Sequence, residues 1–130
     1  MRTLGSGLII GCVLLACSSG GGGNAAVQRG VGAACSTNAD CPEMGQRCLT
    51  NFKGGMCGIA DCTHSSQCPT GSVCVADPDF SRNFCLLVCS DKPDCNINRP
   101  VTYESNCTST LNAIDHTDAG ADPKVCRPPS

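Results

Sequence analysis

The sequence predicts a small disulfide-rich fold with little regular secondary structure, in which short β-hairpins follow one another in tandem cysteine-rich repeats. Fourteen of the 130 residues are cysteine, a density typical of a disulfide scaffold. Large apolar residues are scarce, with no Trp, one Tyr and three Phe. Burial of so few apolar side chains does not offset a chain-ordering entropy of about 1–2 kcal/mol per residue. Covalent cross-links are therefore expected to hold the fold together.

Residues 1–16 have the pattern of a signal peptide, with an early positive charge and then an apolar segment. That segment is shorter than the about 20 apolar residues that span a bilayer. The sequence Leu14-Leu15-Ala16-Cys17 resembles the lipobox of bacterial lipoproteins. The resemblance implies export, cleavage before Cys17 and lipidation of the Cys17 thiol. The alternative is an ordinary secretory signal with an incidental cysteine, which also implies export.

Residues 17–34 are predicted to be the lipidated cysteine followed by a flexible tether. Residues 18–23 are all Ser or Gly, and such chains behave as flexible coils. Ser18, which follows the lipidated cysteine, resembles the enterobacterial signal for sorting to the outer membrane. We therefore expect the lipid to anchor the protein to the cell envelope, at the outer membrane. Cys12 would be removed with the signal peptide.

Residues 35–126 are predicted to form a disulfide-rich domain of three four-cysteine blocks, spanning 35–57, 62–85 and 89–126. An even number of cysteines remains after Cys12 and Cys17 are set aside, as complete pairing requires. In each block, five residues separate the first two cysteines. The disulfide-forming residues are expected to be Cys35, Cys41, Cys48, Cys57, Cys62, Cys68, Cys74, Cys85, Cys89, Cys95, Cys107 and Cys126.

The first two blocks repeat at about 27 residues, which indicates one small unit used serially. In the second block, Cys68-Pro69-Thr70-Gly71 suits a type I turn. Residues 46–50 and 56–59 are predicted to pair as one hairpin, and residues 72–76 and 83–88 as another. The third block starts alike, but its later gaps of 11 and 18 residues predict an irregular, expanded unit.

The pattern over residues 35–89 resembles the cysteine-rich repeats of Gram-negative secreted lipoproteins, and more loosely Dickkopf-type or EGF-like modules. Spacing alone leaves three connectivities open in each block. The EGF-like resemblance implies that the first cysteine pairs with the third and the second with the fourth. It says little about function.

Catalysis is not expected, and no cofactor is predicted. Hydrolases need a nucleophile, a base and an orienting group, and the two histidines, His64 and His116, both lie in polar, loop-like sequence. Redox enzymes use two cysteines separated by two residues, a spacing that does not occur. The protein is therefore predicted not to be an enzyme.

Metal binding is a further alternative, although no metal site is expected. Zinc could use the pairs Cys57/Cys62 and Cys85/Cys89, but an oxidising compartment favours disulfides. Calcium could use either of two acidic stretches, although the first lacks the Gly and Glu of a calcium loop. The acidic stretches contain Asp77, Asp79 and Ser81 in the first case, and Asp115, Asp118 and Asp122 in the second.

The expected function is a structural or protein-interaction role at the cell envelope. A nucleic-acid partner is not expected, because the net charge is −2 and the basic residues are scattered. Protease inhibition is the alternative, since disulfides pre-order loops and lower the entropic cost of binding. The loop 49–56 with Lys53 and the loop 75–84 with Arg82 could each present a basic side chain.

Overall fold

The computed structural model describes residues 25–28, 30–115 and 122–130. The predicted signal peptide, Cys12, the predicted lipidation residue Cys17 and about half of the predicted tether lie outside the described residues, as do His116 and Asp118. Within the described residues, no helix has the length and apolar character required to cross a bilayer.

The predicted fold class is confirmed, because short hairpins and 3-10 turns make up most of the regular structure. One short helix, α1, spans Ala25–Gln28. The described strands are β1 (Arg47–Cys48), β2 (Cys57–Gly58), β3 (Ser72–Asp77), β4 (Arg82–Leu87), β5 (Asn106–Thr108) and β6 (Val125–Arg127). The 3-10 turns are Asn38–Asp40, Ser65–Gln67, Lys92–Asn96 and Val101–Tyr103.

Each block contributes one antiparallel hairpin, β1–β2, β3–β4 and β5–β6 in turn. Both hairpins predicted from the sequence are confirmed, and β3 continues one residue further, to Asp77. In all three hairpins the third and fourth cysteines of the block lie directly opposite each other. These cross-strand pairs are Cys48 with Cys57, Cys74 with Cys85, and Cys107 with Cys126.

Six disulfides join the twelve cysteines of the three blocks, with Cα–Cα distances of 5.2–6.0 Å. In every block the first cysteine pairs with the third and the second with the fourth, as the EGF-like resemblance implied. The two disulfides of a block therefore attach to neighbouring strands of one hairpin. The bonds are Cys35–Cys48, Cys41–Cys57, Cys62–Cys74, Cys68–Cys85, Cys89–Cys107 and Cys95–Cys126.

A 3-10 turn between the first and second cysteines repeats in all three blocks. The residue before the second cysteine is Asp40, Gln67 or Asp94, at a spacing of 27 residues. Its side-chain oxygen accepts hydrogen bonds from the backbone N–H groups three and four residues earlier. Capping a turn in this way uses N–H groups that would otherwise lack partners. The repeat is therefore structural as well as sequential.

The blocks are joined by backbone hydrogen bonds and are not structurally independent units. Between the first two blocks, Asp61 N–H donates to the Asn83 carbonyl at 2.8 Å, alongside a bridge between Ala60 and Phe84. Between the second and third, Ile114 N–H donates to the Cys74 carbonyl at 2.9 Å. These bonds extend the small hairpins into one connected backbone network.

The main apolar cluster lies where the three blocks meet. Phe52 and Phe84 are fully buried with their ring centroids 5.1 Å apart, and Phe80 contacts both edge-on. Such edge-to-face pairs add about 0.5–1.5 kcal/mol each beyond their burial. The buried members of the cluster are Leu49, Phe52 and Met56 from the first block, Val75, Phe84 and Leu86 from the second, and Leu111 and Val125 from the third. No block could assemble this core alone.

The predicted domain boundaries need correction at both ends. Ala26, Val27 and Val31 are buried in a second cluster with cysteines of the third block, so the later part of the predicted 17–34 tether is folded. Burial of its few apolar side chains explains why this segment packs. At the other end, the Pro129 carbonyl accepts from Lys53 N–H at 2.8 Å. The domain therefore extends beyond 35–126 in both directions.

Candidate functional site

The first acidic stretch considered for calcium holds an arginine. Asp77 has a fully buried side chain, and its Oδ2 lies 2.7 Å from Nε of Arg127. The Arg127 Nη2 also contacts Asp79 at 2.6 Å. Hydrogen bonding to Asp77 raises the pKa of Arg127. Because one guanidinium already pairs with both carboxylates, the structure does not support the calcium alternative here. Ser81 is exposed at the tip of the hairpin.

The second acidic stretch is only partly described, because Asp118 lies outside the described residues. Asp115 accepts from the Ser65 hydroxyl at 2.5 Å and from the Ser65 N–H at 2.9 Å. These bonds, the hydroxyl first, lower the pKa of Asp115. Asp115 therefore fastens the third block to the 3-10 turn of the second, while His64, at the start of that turn, is exposed.

Neither proposed zinc pair survives as a pair of thiolates. Cys57 and Cys62 are each in a disulfide with a cysteine of their own block, and so are Cys85 and Cys89. Zinc binds the thiolate form of cysteine, which a disulfide sulfur does not offer. The zinc alternative on these residues is therefore wrong.

The two basic side chains considered for protease inhibition lie in different settings. Arg82 begins strand β4 and forms a two-pronged ion pair with Asp61, at 3.0 and 2.6 Å. Lys53 has an exposed side chain, but it lies in a compact turn closed by a bond from Gly55 N–H to the Phe52 carbonyl. Neither Arg82 nor Lys53 lies at the centre of an extended exposed loop. This geometry gives protease inhibition no support.

Two surface clefts lie beside the second hairpin. One, of about 310 Å³, is lined by the β3–β4 tip and by Leu111 with its neighbours. The other, of about 480 Å³, lies between the first hairpin and the Asp61–Arg82 pair and has a more polar lining. Both volumes fit a small molecule or one or two side chains of a partner. The clefts are candidate docking positions for a protein or peptide.

A third candidate feature is the loop that the third block inserts after its second cysteine, which buried Arg99 holds in place. The Arg99 Nε donates to the Tyr103 carbonyl at 2.7 Å. Its Nη1 donates to the carbonyls of Gly32 at 3.0 Å and Gly55 at 2.8 Å. Its Nη2 donates to the Lys53 carbonyl at 3.0 Å. One side chain thus ties together the N-terminal segment, the first block and the third block.

Burial lowers the pKa of Arg99, yet a guanidinium stays protonated in proteins. Four carbonyl dipoles therefore surround a buried positive charge. Charge-assisted hydrogen bonds of this kind contribute about 1.5–3 kcal/mol each. The loop from residue 97 to residue 103 is consequently a rigid part of the domain surface.

The same loop exposes apolar side chains. Val101 is 84% exposed, Ile97 43% and Tyr103 37%. The Tyr103 ring packs against Gly54, where a Cβ atom would overlap the ring and where φ is +75°, so both space and backbone require glycine. We call Ile97, Val101 and Tyr103 the 97–103 surface. These three exposed apolar side chains on one loop are a candidate interaction surface.

Sequence reasoning missed both Arg99 and the 97–103 surface. The available signal was the 11-residue gap between Cys95 and Cys107, which holds three large apolar residues around one arginine. Spacing could not reveal that the arginine side chain turns inward while its neighbours stay exposed. That arrangement depends on carbonyl groups from residues 32, 53 and 55, which are far away in sequence.

No family model, curated protein or solved structure matches this chain. The resemblances to a lipobox and to EGF-like repeats therefore rest on the residue patterns given above.

Proposed function

We propose that this chain is an exported cell-envelope lipoprotein, anchored through a lipid on Cys17 to the outer membrane, whose stapled domain has a structural or protein-binding role. The observation that carries the proposal is the complete pairing of twelve cysteines in six disulfides. Disulfides persist in oxidising compartments outside the cytoplasm. Export is the step that brings a chain of this kind to such a compartment.

Attachment by lipid is supported by the lipobox-like residues 14–17 and by where the folded chain starts. Among the residues whose burial the structure describes, the first buried side chain is that of Ala26, nine positions after Cys17. Two or three acyl chains hold a protein stably on a bilayer, at about 0.8 kcal/mol per buried methylene group. An anchor so close in sequence to the domain keeps the domain at the membrane surface.

A binding role is supported by the pre-ordered surface. Six disulfides and the Arg99 network hold the loops before any partner arrives, which lowers the ordering cost of binding. The two clefts beside the second hairpin are positions where a partner's side chains fit. A structural role in the envelope would use the same surface, because such a role also requires contact with neighbouring molecules.

Intact mass spectrometry of protein purified from its native envelope tests the proposal. The expected mass is that of a chain beginning at Cys17, with acyl chains added. Alkylation without reduction should add nothing, and alkylation after reduction should label twelve cysteines. A Cys17→Ser variant should keep the six disulfides and lose the lipid mass. Free thiols in the native protein, or a mass without lipid, would contradict the proposal.

A further inference from the structure

We infer that the 97–103 surface rests on the lipid bilayer that holds the Cys17 anchor, so that the domain lies on the membrane in one fixed orientation. The inference rests on the proposed lipid anchor. It names the bilayer as the partner of the 97–103 surface, to which the proposed function assigns no partner.

The first support is where the folded chain begins. Asn98, within the loop, donates from Nδ2 to the Val27 carbonyl at 3.2 Å, and its own carbonyl accepts from Ala34 N–H at 3.1 Å. Arg99 bonds to Gly32 in the same segment. The N-terminal segment that leads to the anchor therefore packs directly against the loop carrying the 97–103 surface.

The second support is the reach of the chain. Ala26 is nine positions after Cys17, so these two Cα atoms are at most about 32 Å apart. Gly- and Ser-rich chains of that length span about 15–18 Å on average. A domain of roughly 100 residues, with a radius of gyration of about 13 Å, is about 34 Å across. The tether is too short to let the domain turn freely, so the side next to the N-terminal segment faces the bilayer.

The third support is the chemistry of the surface. Val101 and Ile97 are aliphatic, and Tyr103 has the apolar ring and polar hydroxyl that favour the membrane–water interface. The neighbouring Glu104 is paired with Lys92 at 2.5 Å, so its charge is neutralised next to the lipid. Lys53, whose neighbour Gly54 contacts the Tyr103 ring, is exposed and suits anionic headgroups.

A weak affinity for lipid is enough once the anchor is in place. A short tether raises the effective concentration of a second binding event to the millimolar range. Three partly exposed side chains would bind a bilayer poorly as a free protein, but they can hold the orientation of an anchored one. The clefts beside the second hairpin then remain available to a protein partner.

The single tyrosine gives a direct measurement. Since the chain has one Tyr and no Trp, its tyrosine emission comes from Tyr103. The full lipidated protein would be reconstituted into phosphatidylethanolamine and phosphatidylglycerol vesicles, with or without brominated acyl chains. We expect brominated lipid to quench the emission. Quenching by aqueous iodide should fall at least about twofold relative to unanchored Cys17→Ser protein, because the ring leaves water.

Surface variants separate this inference from simple proximity to the membrane. The double variant Ile97→Ser/Val101→Ser should restore iodide quenching without loss of the anchor. Ile114→Ser is the matched control, because Ile114 is as exposed as Ile97 (41% against 43%) but bonds to β3 of the second block. It should change nothing. Equal effects of the two variants, or no effect of the double variant, would overturn the inference.

The outcomes distinguish this inference from the proposed function. Protein that floats with vesicles and carries lipid, but whose Tyr103 is as accessible to iodide as in Cys17→Ser protein produced without residues 1–16, would refute the membrane orientation and leave the anchor standing. Protein that carries no lipid and does not float would overturn both.

Discussion

The second and third blocks carry the same four-cysteine framework but draw their contacts from different distances along the chain. In the second block, β3 and β4 pair over six residues. Only five residues separate the second cysteine of this block from the third. In the third block, β5 and β6 pair over only three residues. Its inserted loop and its C-terminal end instead supply Arg99 and Arg127, which bond to the other two regions.

This difference shows how a chain with few apolar residues can still fold as one unit. The regular block forms its structure locally, within one hairpin and two disulfides. The expanded block couples the units, because its long loops bring charged side chains to distant carbonyls and carboxylates. Lengthening a loop costs little, about 0.6 kcal/mol for each doubling. The expansion is therefore a low-cost way to join three small modules.

The largest expected effect is the loss of a third-block disulfide. Cys95→Ala/Cys126→Ala opens a bond with a sequence separation of 31, which should lower the free energy of unfolding by about 4 kcal/mol. Cys35→Ala/Cys48→Ala, with a separation of 13, is the control and should cost about 3 kcal/mol. Guanidinium unfolding measures both. A larger loss in the control would show that the first block contributes more of the coupling.

A second comparison uses two arginine–aspartate pairs that each have one member in the β3–β4 hairpin. Arg127→Met leaves the buried Asp77 carboxylate without its cation, and we expect a loss of about 3 kcal/mol. Arg82→Met breaks the exposed pair with Asp61, and solvent screening should make its effect much smaller. Chemical denaturation measures the free energy of unfolding of both variants. Similar losses would mean that burial does not set the strength of these pairs.

A third comparison concerns Arg99. Arg99→Lys keeps the charge but replaces a planar group with five donors by an ammonium with three, so some of the four carbonyls lose their partner. We expect a loss of about 2 kcal/mol, with faster hydrogen exchange at Lys53, Gly55 and Tyr103. Arg47→Lys, at an exposed position of β1, is the control and should leave stability nearly unchanged. If Arg99→Lys left the free energy of unfolding and the exchange rates unchanged, this result would contradict a coupling role for the loop.

The smallest expected effect is a pH dependence in the repeated 3-10 turn. Bonds from the Thr37 and Ser36 N–H groups lower the pKa of Asp40, whereas the second block has uncharged Gln67 at this position. The stabilisation from Asp40 is complete above about pH 3.9, the ordinary aspartate pKa, and is lost as the pH falls through the lower folded value.

Amide chemical shifts measure this effect. Those of Ser36 and Thr37 should change with a midpoint below pH 3.9, while that of Thr63, in the second block, should not follow an aspartate titration. Asp40→Asn should abolish the change at Ser36 and Thr37. A midpoint at or above the ordinary value would contradict the assignment.

The framework was predictable because it is local. Hairpins in the first two blocks follow from turn residues and cysteine spacing, since strand pairing across a short loop depends on nearby residues. The folding of Ala26, Val27 and Val31 was not predictable, because it depends on contacts with cysteines of the third block. The pairing of Asp77 with Arg127 joins residues 50 positions apart, and no spacing rule reaches so far.

Composition by itself determined that this protein relies on disulfides, because it holds too little apolar material for any one block to form a core. The order of the residues determined the three-block arrangement, through the 27-residue recurrence of cysteines. Only the tertiary structure decided that the blocks share one apolar cluster, that Asp77 and Asp79 bind Arg127, and that Ile97, Val101 and Tyr103 stay exposed. These outcomes depend on which distant groups meet, because a side chain's burial is settled by its neighbours in space.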